Sequence, residues 1–255
     1  MTDKELAVAI DTIAREAGAA ILEIYGREFE IETKSDNSPV TEADRVAEAI
    51  IVAKLRSLTP NIPVVAEEEV AAGKQPNVGS GSFWLVDPLD GTREFISRNG
   101  EFTVNIALIR DREPALGTVH VPAKAETYTA AGTRQVTCQL GDRPAKAIGT
   151  RTPAIDGLVA MVSRSHASSE TDEFLAGLNI KERIDAGSSL KFCRVAEGAA
   201  DLYPRLGRTM EWDTAAGHAV LSCAGGSVSN LDGTPLLYGK DSFENPHFVA
   251  RGLKS

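Results

Sequence analysis

From Phe83 to Val86 the chain is uninterruptedly apolar, and it then meets Asp87, Pro88, Asp90 and Gly91 before resuming as Thr92-Arg93-Glu94-Phe95-Ile96. An apolar run this short, bounded by turn residues, reads as a buried strand, and the Asp-Pro and Asp-Gly steps end it abruptly. Two carboxylates three residues apart thus stand at the mouth of a strand, with a helix leading away. Any fold this chain adopts must accommodate charge where that strand leaves the core.

The rest of the chain supplies the surroundings. Thr2-Asp3-Lys4-Glu5 reads as a capping box, and Leu6, Ile10, Ile13, Ala17, Ile21 and Ile24 then recur at helical spacing, predicting an amphipathic helix to about Gly26. A polar hinge at 33–39 leads to a second helix from Thr41 to Leu58, closed by Pro60 and Pro63. A short strand at Pro63–Ala66 runs into Glu67-Glu68-Glu69, while Phe102–Ile109, Ala115–Val121 and Glu126–Ala131 predict an antiparallel meander. The pattern fades from Gly132 to Pro153, which divides the chain near residue 150 into an N-terminal α+β subdomain (1–150) and a C-terminal α/β subdomain (151–255). Beyond the boundary, strands at Leu158–Val162, Arg183–Asp185 and Ala200–Tyr203 alternate with helices at Glu170–Leu178, Ser189–Glu197 and Thr214–Cys223. Short strands follow at Ser227–Asn230 and Pro235–Tyr238. That alternation fits a layered α/β fold.

At 255 residues and 42% hydrophobic, the chain buries enough surface to need no covalent staples. Its three cysteines are too few and too scattered for a disulfide framework or metal knuckle, which favours a reducing, cytoplasmic setting. No apolar run approaches a membrane span. A net charge of −9 argues against a nucleic-acid polymer as partner, since phosphate backbones need clustered Lys and Arg. It leaves room for a small anion held locally.

Further acids share the position of Asp87 and Asp90 at element ends: Glu67 and Glu68 after a strand, and Asp44 and Asp213 in or near the first turns of helices. If they converge, each like-charged pair about 4 Å apart costs around 4 kcal/mol at an effective dielectric of 20, and the cluster demands a cation. All-oxygen ligands suit Mg2+, Mn2+ or Ca2+ rather than zinc. Pro88 stiffens the turn so that both aspartates and the Leu89 carbonyl point one way, and the N–H groups of Gly91 and Thr92 would favour an anion beside the cation. Cation and anion side by side is the layout of metal-assisted phosphoryl hydrolysis. Plainer readings exist for each part. Asp44 and Asp213 suit helix caps, Glu67-Glu68-Glu69 suits a solvated turn, and Asp87–Thr92 suits an ordinary Asp/Pro/Gly turn. The joint occurrence favours chemistry. A D-x-D-G-T nucleophile motif fails because Pro88 occupies the nucleophile position, and an EF-hand fails at Leu89.

Four segments, Ser38–Asp44 (SPVTEAD), Ala66–Glu69 (AEEE), Trp84–Ile96 (WLVDPLDGTREFI) and Glu211–Gly217 (EWDTAAG), resemble in order the lithium-sensitive, magnesium-dependent inositol monophosphatase superfamily. Segments 93–109 and 187–205 are most similar to its bacterial CysQ branch of 3′(2′),5′-bisphosphate nucleotidases, which release phosphate from adenosine 3′,5′-bisphosphate. The resemblance implies a five-layer αβαβα sandwich with the site between subdomains. It implies one Mg2+ on Glu67, Asp87 and the Leu89 carbonyl, a second on Asp87, Asp90 and Asp213, and a weaker third near Glu67, with Mn2+ as a substitute. It further implies Asp44 with Thr92 as the pair that orients and deprotonates water, Glu68 as support, Gly91 and Thr92 as phosphate holders, and inhibition by lithium. Ala66 and Arg93 depart mildly from the family pattern, at no implied ligand. A homodimer is left open.

Substrate choice has its own pattern. Tyr203-Pro204-Arg205 carries a cation where inositol monophosphatases tend to carry an acid, and Lys191 in Ser188-Ser189-Leu190-Lys191 adds another. Two positive groups suit a second phosphate, although isolated Lys and Arg side chains more often face solvent. Ser163-Arg164-Ser165-His166 resembles the segment that meets the nucleoside, placing Ser163 and His166 among the expected substrate contacts. The same chemistry on inositol or fructose phosphates, or a non-catalytic binding module, are the competing expectations.

Overall fold

The computed structural model describes residues 1–33, 39–165 and 168–253. Ser38 and His166, and most of the expected hinge, lie outside them. Helix α1 (Asp3–Tyr25) starts on the expected capping box, in which the Thr2 N–H donates to Glu5 at 2.7 Å and the Glu5 N–H donates to Thr2 Oγ1 at 3.3 Å. A short antiparallel ribbon, β1 (Ile31–Thr33) with β2 (Pro39–Thr41), precedes α2 (Glu42–Leu58). Three-residue strands are too short for periodicity to announce, and the ribbon was not expected.

The first sheet takes its strands in chain order: β3 (Val64–Ala66), β4 (Phe83–Asp90), β5 (Thr103–Arg110), β6 (Glu113–Val121), β7 (Glu126–Ala130), β8 (Val136–Leu140) and β9 (Lys146–Ala147). Strand β3 lies parallel to β4, and every later pairing is antiparallel, so the expected meander is real and runs on through the stretch where the sequence pattern faded. Two single-turn helices, α3 (Glu67–Ala71) and α4 (Thr92–Ile96), follow β3 and β4.

In the second sheet the order is β11 (Ile180–Ala186), β10 (Leu158–Ser163), β12 (Leu202–Arg205), β14 (Phe248–Arg251) and β13 (Ser227–Asn230), with helices α5 (Ser169–Ala176), α6 (Leu190–Ala196) and α7 (Glu211–Cys223) between them in the chain. The expected strand at Pro235–Tyr238 is corrected here: that segment touches the sheet through one bridge, Ser229 to Pro235, and instead plugs Leu236 and Tyr238 into the core. The strand that completes the sheet is β14, which inserts between β12 and β13.

Helices α1 and α2 pack on one face of the first sheet and α7 on the other. Helices α6 and α7 also meet the second sheet, whose far face holds α5, giving αβαβα layering. This explains the unbroken apolar runs. Trp84, Val86, Val104, Ile106 and Leu108 point to the α1–α2 side, while Phe83, Leu85, Ala107 and Ile109 point to the α7 side, so neither face of β4 or β5 reaches water.

Close approach fixes two glycines. A Cβ on Gly117 would come within 2.8 Å of Ala219, and one on Gly217 within 2.6 Å of the Phe192 ring. Helix α7 thus lies on β6 and α6 at backbone distance. Gly217→Ala gains about 1 kcal/mol of helix propensity but overpacks the α6–α7 contact by about 3 kcal/mol. A net loss of about 2 kcal/mol is expected, read as a lower denaturant midpoint; unchanged stability would contradict the packing.

Candidate active site

A strand alternates its faces, so residues three apart, such as Asp87 and Asp90, would ordinarily point to opposite sides. Here β4 pairs Asp87 with Asn105 and Asp90 with Thr103, fitting an extra residue into β4 between the two pairs. Asn105 and Thr103 are two apart on one face of β5, so the bulge turns both aspartates to that same face. The Asp87 Oδ1 accepts the Leu89 N–H at 3.0 Å, folding the chain around Pro88. Gly91 follows at φ 93°, a left-handed conformation in which a side chain would be strained. The first N–H groups of α4 have no partners within the helix.

These residues open onto a cleft of about 400 Å3. Glu67 reaches it from the start of α3, Asp87, Leu89, Asp90, Gly91 and Thr92 from the end of β4, and Asp213 from the first turn of α7. Ser163 at the end of β10, Ser188 and Ser189 before α6, Lys191 on α6 and Arg205 at the end of β12 also line it. Asp44 lies behind this surface, 2% exposed, taking the Thr41 N–H and hydroxyl at 2.8 Å each on Oδ2 and the Thr92 hydroxyl at 3.3 Å on Oδ1. Asp44 and Asp213 both cap their helices, as the plainer reading held, and the cap is what orients them. Met210 donates its N–H to Asp213 at 2.8 Å. Glu68 does not line the cleft.

The acids are electrostatically strained. Burial first, then repulsion from Asp90 and Glu67, pushes the Asp213 carboxyl well above the carboxylate range. Asp90 is pushed up to about 6, by burial first, with Lys191 pulling it down and Glu94 raising it. Among the described residues no three Asp, Glu, His or Cys side chains stand close enough to form a ready-made metal centre. The acids ring the cleft, and the donor set is right in kind for a hard divalent ion: oxygen only, with carboxylates whose mutual repulsion a cation would relieve. Glu67, Asp87, the Leu89 carbonyl, Asp90 and Asp213 are the groups that would hold it.

Lys191 and Arg205 do not face solvent. The Lys191 ammonium is buried, donates to the carbonyls of Ala186 at 3.2 Å and Ser188 at 2.6 Å, and sits 5.2 Å from the centre of the Tyr203 ring. Burial pulls it down to about 8, against the opposing pull of Asp90. Arg205 is 8% exposed; it donates through one nitrogen to the Arg208 carbonyl at 3.1 Å, and among the described residues its Nε has no partner.

Several residues that build this site went unnoticed in the sequence. Asp90 accepts the Ser189 N–H at 2.5 Å, the Asn105 amide at 3.4 Å and the Thr103 hydroxyl at 3.5 Å, and so ties β4 to the turn before α6. Thr103 and Asn105 were visible as polar residues at alternate positions of a buried strand. Glu48, 6% exposed, accepts the N–H groups of Glu68 at 2.7 Å and Glu69 at 2.9 Å, capping α3 from α2. Its signal was an acid in the apolar stripe of Ala47 and Ile51. Glu101 accepts Gly187 N–H at 2.9 Å and Arg164 at 3.0 Å, and Glu94 fills the space a Gly187 side chain would need, 2.4 Å from its Cβ position. Nothing local marked those two.

Fold and site together define a class. The chain matches the inositol monophosphatase family over residues 2–252 and belongs to it. It is 46% identical, over 92% of its length and 95% of the relative's, to the 3′(2′),5′-bisphosphate nucleotidase CysQ of Escherichia coli K12. Among solved structures it is similar to CysQ from Bacteroides thetaiotaomicron, with 38% identity, a TM-score of 0.82 and coverage of 99% of this chain and 98% of that one. The inositol monophosphatase of Thermotoga maritima is more distant, at 25% identity and a TM-score of 0.77, covering 94% and 89%.

Proposed function

We propose that the protein is a Mg2+-dependent phosphatase that hydrolyses adenosine 3′,5′-bisphosphate to AMP and phosphate. The observation that carries this reading is one cleft lined both by acids, Glu67, Asp87, Asp90 and Asp213, and by buried cations, Lys191 and Arg205. The first suits a metal-bridged scissile phosphate, and the second suits another phosphate on the same substrate. The CysQ relatives carry that activity in their names. Residues 1–150 supply Glu67, Asp87 and Asp90, and residues 151–255 supply Lys191, Arg205 and Asp213. Three free cysteines suit a cytoplasmic setting, and among the described residues no helix is long and apolar enough to cross a membrane.

Bound Mg2+ would neutralise the acids and polarise both the phosphate and the attacking water. The chain's own contribution is orientation and proton handling. Thr92 Oγ1 donates to Asp44 and so offers its lone pairs to a water hydrogen, while the carboxylate of Asp44 is the sink for the proton. Two bonds from Thr41 keep that carboxylate from turning away. The N–H groups at Gly91 and Thr92 would hold the phosphate oxygens, and Ser163, Ser188 and Ser189, which line the same cleft, would meet the rest of the substrate.

Phosphate release from adenosine 3′,5′-bisphosphate is expected to exceed release from inositol 1-phosphate and fructose 1,6-bisphosphate at equal concentration and to stop without Mg2+. Comparable rates on inositol 1-phosphate would reassign the substrate. Lys191→Ala is expected to lower kcat/KM for the bisphosphate by about 10–100-fold, the loss of roughly 1.4–2.8 kcal/mol from a charge-assisted contact. Activity on inositol 1-phosphate should fall much less. Equal losses on both would mean that Lys191 only braces the loop through the Ala186 and Ser188 carbonyls.

A further inference from the structure

The turn between β11 and α6 carries a strained residue. Ser188 stands at φ 50°, in the left-handed region that a side chain ordinarily avoids, and its Cβ lies 3.4 Å from where a side chain on Gly91 would begin. Such a conformation persists only where its surroundings over-determine it. Here they do. The Gly187 N–H is held by Glu101 at 2.9 Å, and the Ser189 hydroxyl donates to Asn105 Oδ1 at 2.7 Å and meets Thr103 Oγ1 at 3.0 Å.

What the turn holds in place is one peptide bond, that between Ser188 and Ser189. A trans peptide points its N–H and its C=O in opposite directions, and each end of this one meets a charged group of the cleft. The N–H of Ser189 donates to Asp90 Oδ2 at 2.5 Å, while the carbonyl of Ser188 accepts from the Lys191 ammonium at 2.6 Å. The peptide dipole is thus aligned between carboxylate and ammonium, favourably toward both. Lys191 gives a second N–H to the Ala186 carbonyl at 3.2 Å; its third has no hydrogen-bond partner among the described residues, and the side chain lines the cleft. Ser189 and Lys191 are both buried, so bulk water screens this path little.

We propose that the Ser188–Ser189 peptide couples the two ends of the substrate: an anion on Lys191 makes Asp90 a better ligand for a divalent cation, and a cation on Asp90 makes Lys191 a better seat for an anion. This coupling presupposes Lys191 as the contact for the second phosphate. An ammonium with no anion on it draws charge along the carbonyl and the N–H and so away from Asp90, and a phosphate that neutralises the ammonium returns it. Across a single peptide the two charges are about 7 Å apart, close enough for an effect of about tenfold or more at an effective dielectric of 20. Such a device favours bisphosphates over monophosphates most strongly where Mg2+ is scarce.

Calorimetric titration with Mg2+ tests this, read at the site that Asp90→Asn removes. The anion is 3′-deoxyadenosine 5′-monophosphate, which has a phosphate for Lys191 and no 3′ oxygen for the metal side. Saturating nucleotide is expected to tighten Mg2+ binding to the wild type by about fivefold or more. Lys191→Met, which removes the charge, is expected to bind Mg2+ about threefold tighter or more than the wild type without nucleotide, and to lose the nucleotide's effect. Lys191→Gln keeps a donor for the Ser188 carbonyl and decides the matter, with the same results expected, if Lys191→Met fails to fold. The coupling is overturned if the nucleotide binds the wild type and leaves its Mg2+ affinity unchanged, or if a folded neutral variant binds Mg2+ no tighter than the wild type. It is overturned too if the nucleotide tightens Mg2+ as strongly in that variant, which would put its phosphate on the metal itself. Failure of the nucleotide to bind the Mg2+-saturated wild type at all would overturn the second-phosphate reading along with the coupling.

Discussion

Asp90→Asn is expected to reduce kcat/KM for adenosine 3′,5′-bisphosphate by about a thousandfold or more, the scale on which removal of preorganised charge acts at a reacting centre. The substitution is nearly isosteric. The bonds from Ser189, Thr103 and Asn105 still find an oxygen, so the turn before α6 should keep its place. What disappears is one negative charge shared with Asp213. In EDTA the same variant should therefore be more stable than the wild type, since the buried charge of Asp90 and the repulsion by which it raises Asp213 are gone. A variant that is inactive and also less stable in EDTA would show that Asp90 acts as a structural tie. Activity within tenfold of wild type would remove Asp90 from the chemistry altogether.

The second large effect links pH to divalent ions. Asp90 is raised to about 6, Glu48 to about 7 and Asp213 well above its ordinary value, in each case by burial first. An acid whose folded pKa is raised binds a proton that the unfolded chain has already released. Its contribution to stability is thus full below the unfolded pKa and is lost as pH rises through the folded one. Without divalent ions, these groups should make the fold less stable as pH climbs from about 5 to about 8. Mg2+ competes with those protons and favours the ionised acids. The increase in Tm on adding Mg2+ is therefore expected to be larger at about pH 8 than at about pH 6, by roughly 5–10 °C for about 3 kcal/mol of relieved strain. Buried His120, held down to about 4, and His218, held down to about 3, act oppositely: their contribution is lost as pH falls below the ordinary histidine value. They do so with or without Mg2+, so the difference between the two melts isolates the acids. Equal gains at both pH values would place the ion elsewhere.

How much of this was legible in advance depended on whether the determining physics was local. The capping boxes at Thr2 and Thr41 are written in neighbouring residues and appear where expected, whereas the strand expected to stop after Val86 runs on to Asp90, carried past the Asp-Pro step by its bulged pairing with β5. The acids at element ends could likewise be collected by eye, because strand ends and helix first turns are readable. The bulge that puts Asp87 and Asp90 on one face was not, since it exists only against β5. Lys191 and Arg205 were weighed as solvent-facing because burial of a cation depends on the carbonyls and rings around it, which come from distant segments. Pro235–Tyr238 looked like a strand because Leu236 and Tyr238 are apolar, yet they serve as plugs. Residues 248–251 are flanked by Asn245-Pro246 and Gly252, but four residues are too few for periodicity to announce a strand. Glu94 and Glu101 act through Gly187, almost a hundred residues away, and no local pattern records such a debt.

The place of β14 has a consequence for how the protein is made. The strand at residues 248–251 sits inside its sheet, between β12 and β13, which leave translation earlier. Until it arrives, those two strands face an open slot with unpaired amides, the kind of edge that recruits foreign strands. A chain halted before residue 248 would thus expose that open slot to quality control, rather than fold as a slightly shortened enzyme.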